Sequence, residues 1–187
     1  NYPQKPLVST KPAEYMGFNN MPSGINAIVA VMAYTGYNQE DSVIINQSAI
    51  DRGLFTATSF RTITDVEKKG GMYMSENICL PPDNTDNIKF GENGFFKRKN
   101  GNYSLLDERG VVRKNVYVNK GDFIIGKVMT KSTKTGDETK IDCSVCVKHG
   151  EEGVVDAVVY TTTPNGYILV KIKIRQTRIP EVGDKFA

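Results

Sequence analysis

The chain has 187 residues, 39% of them hydrophobic and 24% charged, and a formal net charge of +3 at pH 7. This is enough apolar material for one large core or two small ones. The charge is too evenly balanced to argue by itself for a polyanionic partner. No apolar run approaches the roughly 20 residues that a membrane-spanning helix needs, so no membrane partner is expected. Three cysteines at uneven spacing make no disulfide framework and suit a reducing compartment. The chain starts at Asn1 without an initiator Met and stops at Ala187 just after Gly183-Asp184-Lys185, so both ends read as cuts through a longer polypeptide.

Pro3, Pro6 and Pro12 predict an extended, irregular first segment. The continuous aliphatic run Ala27-Ile28-Val29-Ala30-Val31-Met32 predicts a strand over 26–34, buried on both faces. A turn at Gly36 leads to a second buried strand over 42–45. Asn46 is placed to cap a short helix through Ser48-Ala49-Ile50-Asp51-Arg52, with Gly53 ending it. Composition changes near Thr64, and residues 65–110, rich in Asn, Gly, Asp and Lys, read as loops and edge strands around fragments such as Ile88-Lys89-Phe90 and Gly94-Phe95-Phe96. Asn115 to Val118 and Phe123 to Val128, joined by Asn119-Lys120-Gly121-Asp122, have a hairpin-like pattern. Lys131 to Lys140 reads as an exposed loop.

Val154 to Thr162 and Tyr167 to Arg175 predict a hairpin around Pro164-Asn165-Gly166. Ile168, Val170, Ile172 and Ile174 would share one face, and Lys171, Lys173 and Arg175 the other. That basic face suits phosphates or plain solvent equally well. No helix longer than about two turns is expected, so the chain is read as mainly β with short helices.

Gly36-Tyr37-Asn38-Gln39-Glu40-Asp41-Ser42 sets two adjacent carboxylates on a polar turn between two apolar runs. Carboxylates are costly to desolvate, so the pair should face solvent, a cation or a substrate. Flanking strands would give it a rigid support. Adjacent residues of an extended chain point oppositely, so one carboxylate would reach a cation while the other braces the scaffold. Two carboxylates are too few for a self-contained site, but Mg2+ takes only one or two alongside phosphate and water. Cys143, Cys146 and His149 offer three of the four ligands a structural zinc needs, and Cys79 lies far upstream, so zinc is not expected.

Several strings in the same order carry a family resemblance. They are Tyr2-Pro3-Gln4-Lys5-Pro6-Leu7, Asn26 to Ala30, Gly36 to Ser42, Asn46 to Phe55, Gly121 to Lys127, Glu152 to Asp156 and Thr177 to Ala187. Together they resemble the second-largest subunit of multisubunit DNA-directed RNA polymerases, particularly the eukaryotic RNA polymerase II type. The likeness is weakest over 72–109 and 131–147. It implies a β-barrel-like hybrid-binding portion, residues 1–56 resuming at 179–187, interrupted by a β-rich wall or flap at 57–178. It implies template-directed nucleotidyl transfer by a two-Mg2+ mechanism shared with the largest subunit. Asp41, with its neighbour Glu40, would contact the ion arriving with the nucleotide, and Lys185 would lie near the RNA 3′ end and the incoming nucleotide. The implied partners are the largest and other polymerase subunits, DNA template, RNA–DNA hybrid and ribonucleoside triphosphates. The implied location is the nucleus, or a virion or cytoplasmic viral factory for a viral source. In the family the last motif continues into a basic stretch beyond the position of Ala187, so this chain alone should be inactive. The competing reading is a non-catalytic β-barrel module that binds nucleic acid or protein.

Overall fold

The structure, a computed structural model, describes residues 3–71, 73–83, 96, 98–132, 134 and 138–186. The expected fragments Ile88-Lys89-Phe90 and Gly94-Phe95, together with Tyr2, lie outside the described residues. The protein is mainly β with few and short helices. It divides into two compact units, Asn1–Ala57 with Thr177–Ala187, and Thr58–Gln176.

In the first unit, α1 (Lys11–Tyr15) forms where an irregular segment was expected. Pro12 sits in its first turn, where a backbone N–H has no helical partner to lose. A single 3-10 turn follows over Phe18–Asn20. Helix α2 (Gln47–Asp51) forms as anticipated: the Asn46 side chain accepts from the Ala49 amide, and the Gly53 amide, at φ 100°, donates to the Ile50 carbonyl at 2.8 Å.

The two strands expected at 26–34 and 42–45 are absent. Ile28 and Val31 are fully exposed, and Val29 and Val43 largely so. An aliphatic run favours burial, but a strand also needs a neighbouring strand to take its backbone N–H and C=O groups. No described residue pairs with this run.

The second unit holds the core. The described residues form a four-stranded sheet ordered β1 (Ala57–Val66), β9 (Ile168–Arg178), β8 (Gly153–Thr162) and β3 (Tyr117–Val118). A three-stranded sheet follows the order β2 (Met74–Ile78), β5 (Lys127–Ser132) and β6 (Glu138–Asp142). A two-stranded sheet joins β4 (Phe123–Ile125) and β7 (Val145–Cys146). β8 and β9 make the expected hairpin, with Tyr160 opposite Val170 and Val158 opposite Ile172. Val170, Ile172 and Ile174 are fully buried, while Lys171 and Arg175 are exposed. The basic side is partly self-neutralised: Asp156 lies 3.4 Å from Arg175 and 3.9 Å from Lys173, whose ammonium also sits 4.2 Å from the Phe60 ring centre.

Two expectations in this unit are corrected. The Asn119–Asp122 turn forms, with Asp122 accepting from the Asn119 amide at 2.8 Å, but β3 pairs with β8 and β4 with β7, so no hairpin results. All three residues of β4 are buried, which places this segment inside the core. Of the described residues between 131 and 140, Lys131, Ser132 and Glu138 to Lys140 are strand and not loop, since Lys131 pairs with Thr139 and Thr130 with Lys140 across β5 and β6. Thr-rich polar sequence suits a solvated strand as well as a loop.

Asp142 anchors the interior. Its carboxylate is buried and accepts from the Lys99 amide at 3.0 Å, the Ser144 amide at 2.9 Å and the Tyr103 hydroxyl. Burial pushes its pKa up, but hydrogen bonds from Ser144, Tyr103 and Lys99 outweigh burial and hold it below the ordinary value. Tyr103 in turn stacks on Phe123 with ring centres 4.1 Å apart.

Candidate functional site

The acidic turn and the lysine turn both belong to the first unit. Two aliphatic strands were expected to hold the acidic turn; a side-chain clasp holds it instead. Asn38 accepts from the Tyr34 amide at 3.1 Å through Oδ1 and donates to the Met32 carbonyl at 2.6 Å through Nδ2. One amide thus spans the mouth of the loop, and the Ser42 amide closes its far side on the Gln39 carbonyl at 3.0 Å.

Thr35, Gly36 and Glu40 all take positive φ, at 59°, 77° and 52°. Such a conformation is costly for the two residues that carry a Cβ. Around Glu40 and Asp41 the backbone is therefore a turn, not an extended chain, and the expected strand-like alternation of their side chains does not apply. Both carboxylates are exposed. With no third His, Cys, Asp or Glu grouped beside them among the described residues, the pair is a partial cation site at most.

Lys185 follows a second built turn. Arg178, the last residue of β9, meets Asp184 as a fork on both carboxylate oxygens, at 2.9 and 2.5 Å. Asp184 Oδ2 also accepts from the Glu181 amide at 3.0 Å, and the Asp184 amide donates to the Glu181 carbonyl at 3.1 Å. Gly183 makes this closure with φ 99°. The Arg178 hydrogen bonds, then that from the Glu181 amide, hold the Asp184 carboxyl down at about 2. Lys185 is exposed, and the next residue, Phe186, lies with its ring centre 5.0 Å from that of Phe55, just beyond α2.

Reading along the chain singled out Glu40 and Asp41, and the family resemblance pointed to Lys185; neither indicated Asn38, Arg178 or Phe55 as neighbours that hold these turns. Each support acts on a residue that only the folded backbone brings near. One signal was present: an Arg six residues before an Asp in a Gly-Asp turn has the reach to close it.

Elsewhere, Cys79, Cys143 and Cys146 are free thiols, and burial pushes the Cys79 pKa up. His149 is exposed and lies 3.7 Å from Glu152. No group of three His, Cys, Asp or Glu side chains suited to a metal occurs among the described residues. Among these residues no helix is long and apolar enough to cross a membrane.

Residues 1–187 match the family described as RNA polymerase Rpb2, domain 6. A probable DNA-directed RNA polymerase II subunit RPB2 homolog of Invertebrate iridescent virus 3 is 48% identical over 186 residues, covering 100% of this chain and 15% of that protein. The DNA-directed RNA polymerase II subunit RPB2 of Schizosaccharomyces pombe is 42% identical over 193 residues, with 100% and 15% covered. The DNA-directed RNA polymerase subunit Rpo2 of Sulfolobus acidocaldarius is 42% identical over 194 residues, with 100% and 16% covered. The chain belongs to the Rpb2 family of second-largest RNA polymerase subunits, spanning about 15% of the length of the curated relatives it matches.

Proposed function

We propose that this chain contributes part of the catalytic core of DNA-directed RNA polymerase, extending RNA from ribonucleoside triphosphates. The observation that carries the reading is the clasped turn, which holds two adjacent carboxylates in solvent on a backbone fixed by Asn38. Carboxylate oxygens are hard donors, and a pair this small fits a Mg2+ ion that completes its octahedron with water and substrate phosphate. Bound there, the ion would neutralise the triphosphate and the departing pyrophosphate.

The chain's own residues have separate tasks. Asp41 supplies the carboxylate and Glu40 adds negative charge beside it, while Asn38 keeps both outward. Lys185 places a mobile positive charge on phosphate oxygens of the nucleotide or at the RNA 3′ end. The largest subunit supplies the remaining metal ligands, and other subunits, the DNA template and the RNA–DNA hybrid complete the site. On this reading the second unit serves as the wall beside the hybrid and the first as hybrid-binding. A nuclear setting follows for a cellular polymerase II, and a virion or viral factory for a viral one.

The test is single-nucleotide addition by polymerase assembled with the complete subunit. Asp41→Ala should slow addition and raise the Mg2+ concentration required. Lys185→Ala should raise the nucleotide concentration required. Unchanged Mg2+ dependence in the first variant removes Asp41 from this role. Unchanged kinetics in both would favour a non-catalytic binding module.

A further inference from the structure

We infer that Arg178 and Asp184 form a positioning pair for Lys185, whose task is to present that lysine to a triphosphate. The inference rests on the catalytic reading above and deepens it. An exposed lysine on an unconstrained loop samples many directions, and ordering it on a ligand costs conformational entropy. Here the residues before Lys185 are already ordered. The guanidinium of Arg178 grips both oxygens of Asp184, and one of those oxygens also takes the Glu181 amide. The Asp184 amide returns a bond to the Glu181 carbonyl, so residues 181–184 form a closed ring of contacts.

Gly183 allows the reversal at φ 99°, with nothing within 4 Å of where a Cβ would stand. On the other side of Lys185 the Phe186 ring lies against Phe55. The lysine is thus held at both neighbours, while its own side chain stays exposed and free to engage phosphate.

The Arg178 side chain is 60% exposed, so this pair adds little to global stability. Its geometry makes sense as orientation. The planar fork fits a carboxylate on two atoms at once, which a lysine at position 178 could not do.

The experiment measures single-nucleotide addition by assembled polymerase with Arg178→Ala, Asp184→Asn, the exchange Arg178→Asp with Asp184→Arg, Lys185→Ala, and Asp184→Asn combined with Lys185→Ala. Arg178→Ala and Asp184→Asn should each raise KM for the nucleotide by about tenfold, the scale of one charge-assisted contact, with kcat changed far less. The exchange should recover much of the loss. In the Lys185→Ala background, Asp184→Asn should add nothing, because the residue it positions is gone.

Hydrogen exchange supplies a readout independent of activity: the Glu181 and Asp184 amides should exchange faster in Asp184→Asn while β9 stays protected. Equal penalties for Asp184→Asn with and without Lys185 would overturn the pairing. A silent Lys185→Ala would instead overturn the phosphate-contact role of Lys185 beneath it, and silence in both Lys185→Ala and Asp41→Ala the catalytic reading as a whole.

Discussion

Lys127 carries two buried ion pairs in the second unit. Its ammonium lies 2.8 Å from Asp65 Oδ2 and 3.1 Å from Glu76 Oε2, with all three side chains largely buried. It joins β1 of the four-stranded sheet to β2 and β5 of the three-stranded one. Glu67 reinforces that junction, accepting from the Ile78 amide at 2.8 Å and the Ile168 amide at 3.2 Å. Burial of Lys127 acts to lower its pKa, but the hydrogen bonds and charges of Asp65 and Glu76 outweigh burial and raise it above the ordinary lysine value. A cation favoured by the fold stabilises it fully below the unfolded lysine pKa, and that contribution is lost as pH rises through the higher folded value. Removing the ammonium leaves two buried carboxylates with no cation between them. Lys127→Met should therefore destabilise by about 3–5 kcal/mol near neutral pH, read from urea unfolding. The gap to the parent should close in strongly alkaline solution. A loss below about 1 kcal/mol would mean that water, not the lysine, balances the acids.

Between elements, backbone packs closely at a three-segment crossing of Gly110, Gly126 and Cys79. Gly126 donates to the Gly110 carbonyl at 2.7 Å and accepts from the Cys79 amide at 3.1 Å. A Cβ on Gly110 would stand 2.3 Å from the Cys79 carbonyl carbon, and one on Gly126 would stand 2.4 Å from the Cys79 oxygen. Gly110→Ala combines that clash with φ 78°, and should cost more than about 2 kcal/mol in urea unfolding. Gly166→Ala, in the β8–β9 turn at φ 82° with nothing within 4 Å, meets strain alone and should cost about 1–2 kcal/mol. Equal losses would show that the crossing yields at no cost. This crossing also explains where reading along the chain succeeds and fails. The β8–β9 hairpin and the Asn46-capped helix are local, each fixed by residues within one turn or one alternating run. The redirection of the chain at Gly126 depends on Cys79, nearly fifty residues earlier, and no local pattern announces it. The site divides in the same way. Glu40 and Asp41 stand out as adjacent carboxylates between apolar runs and Lys185 is indicated only by the family resemblance, whereas Asn38 and Arg178 matter through what they hold. The aliphatic run near Ile28 marks a need for burial without naming what covers it.

At the scale of the whole molecule, apolar burial is sharply uneven. Every buried hydrophobic residue among those described lies between Ile78 and Ile174, within the second unit. The first unit carries Ile28, Val31 and Val182 in full exposure and buries no described hydrophobic residue. Hydrophobic burial is the main favourable term in folding, so the two units should differ in autonomy. Since the chain spans about 15% of its relatives, most of the surface available to cover the first unit lies elsewhere in such a subunit. Residues 58–176 expressed alone should unfold in urea as one cooperative transition, and Ile172→Ala, at a fully buried position, should lower its stability by about 2–5 kcal/mol. Residues 1–57 alone should give no such transition, and Ile28→Ala should leave their spectra unchanged. On the proposed assembly into a polymerase, the same Ile28→Ala should reduce the yield of assembled enzyme, because the side chain would there be covered. A broad, non-cooperative melt of 58–176 would refute the division, since its core would then depend on the first unit. A silent Ile28→Ala in the assembled enzyme would show that the aliphatic run stays in solvent there as well.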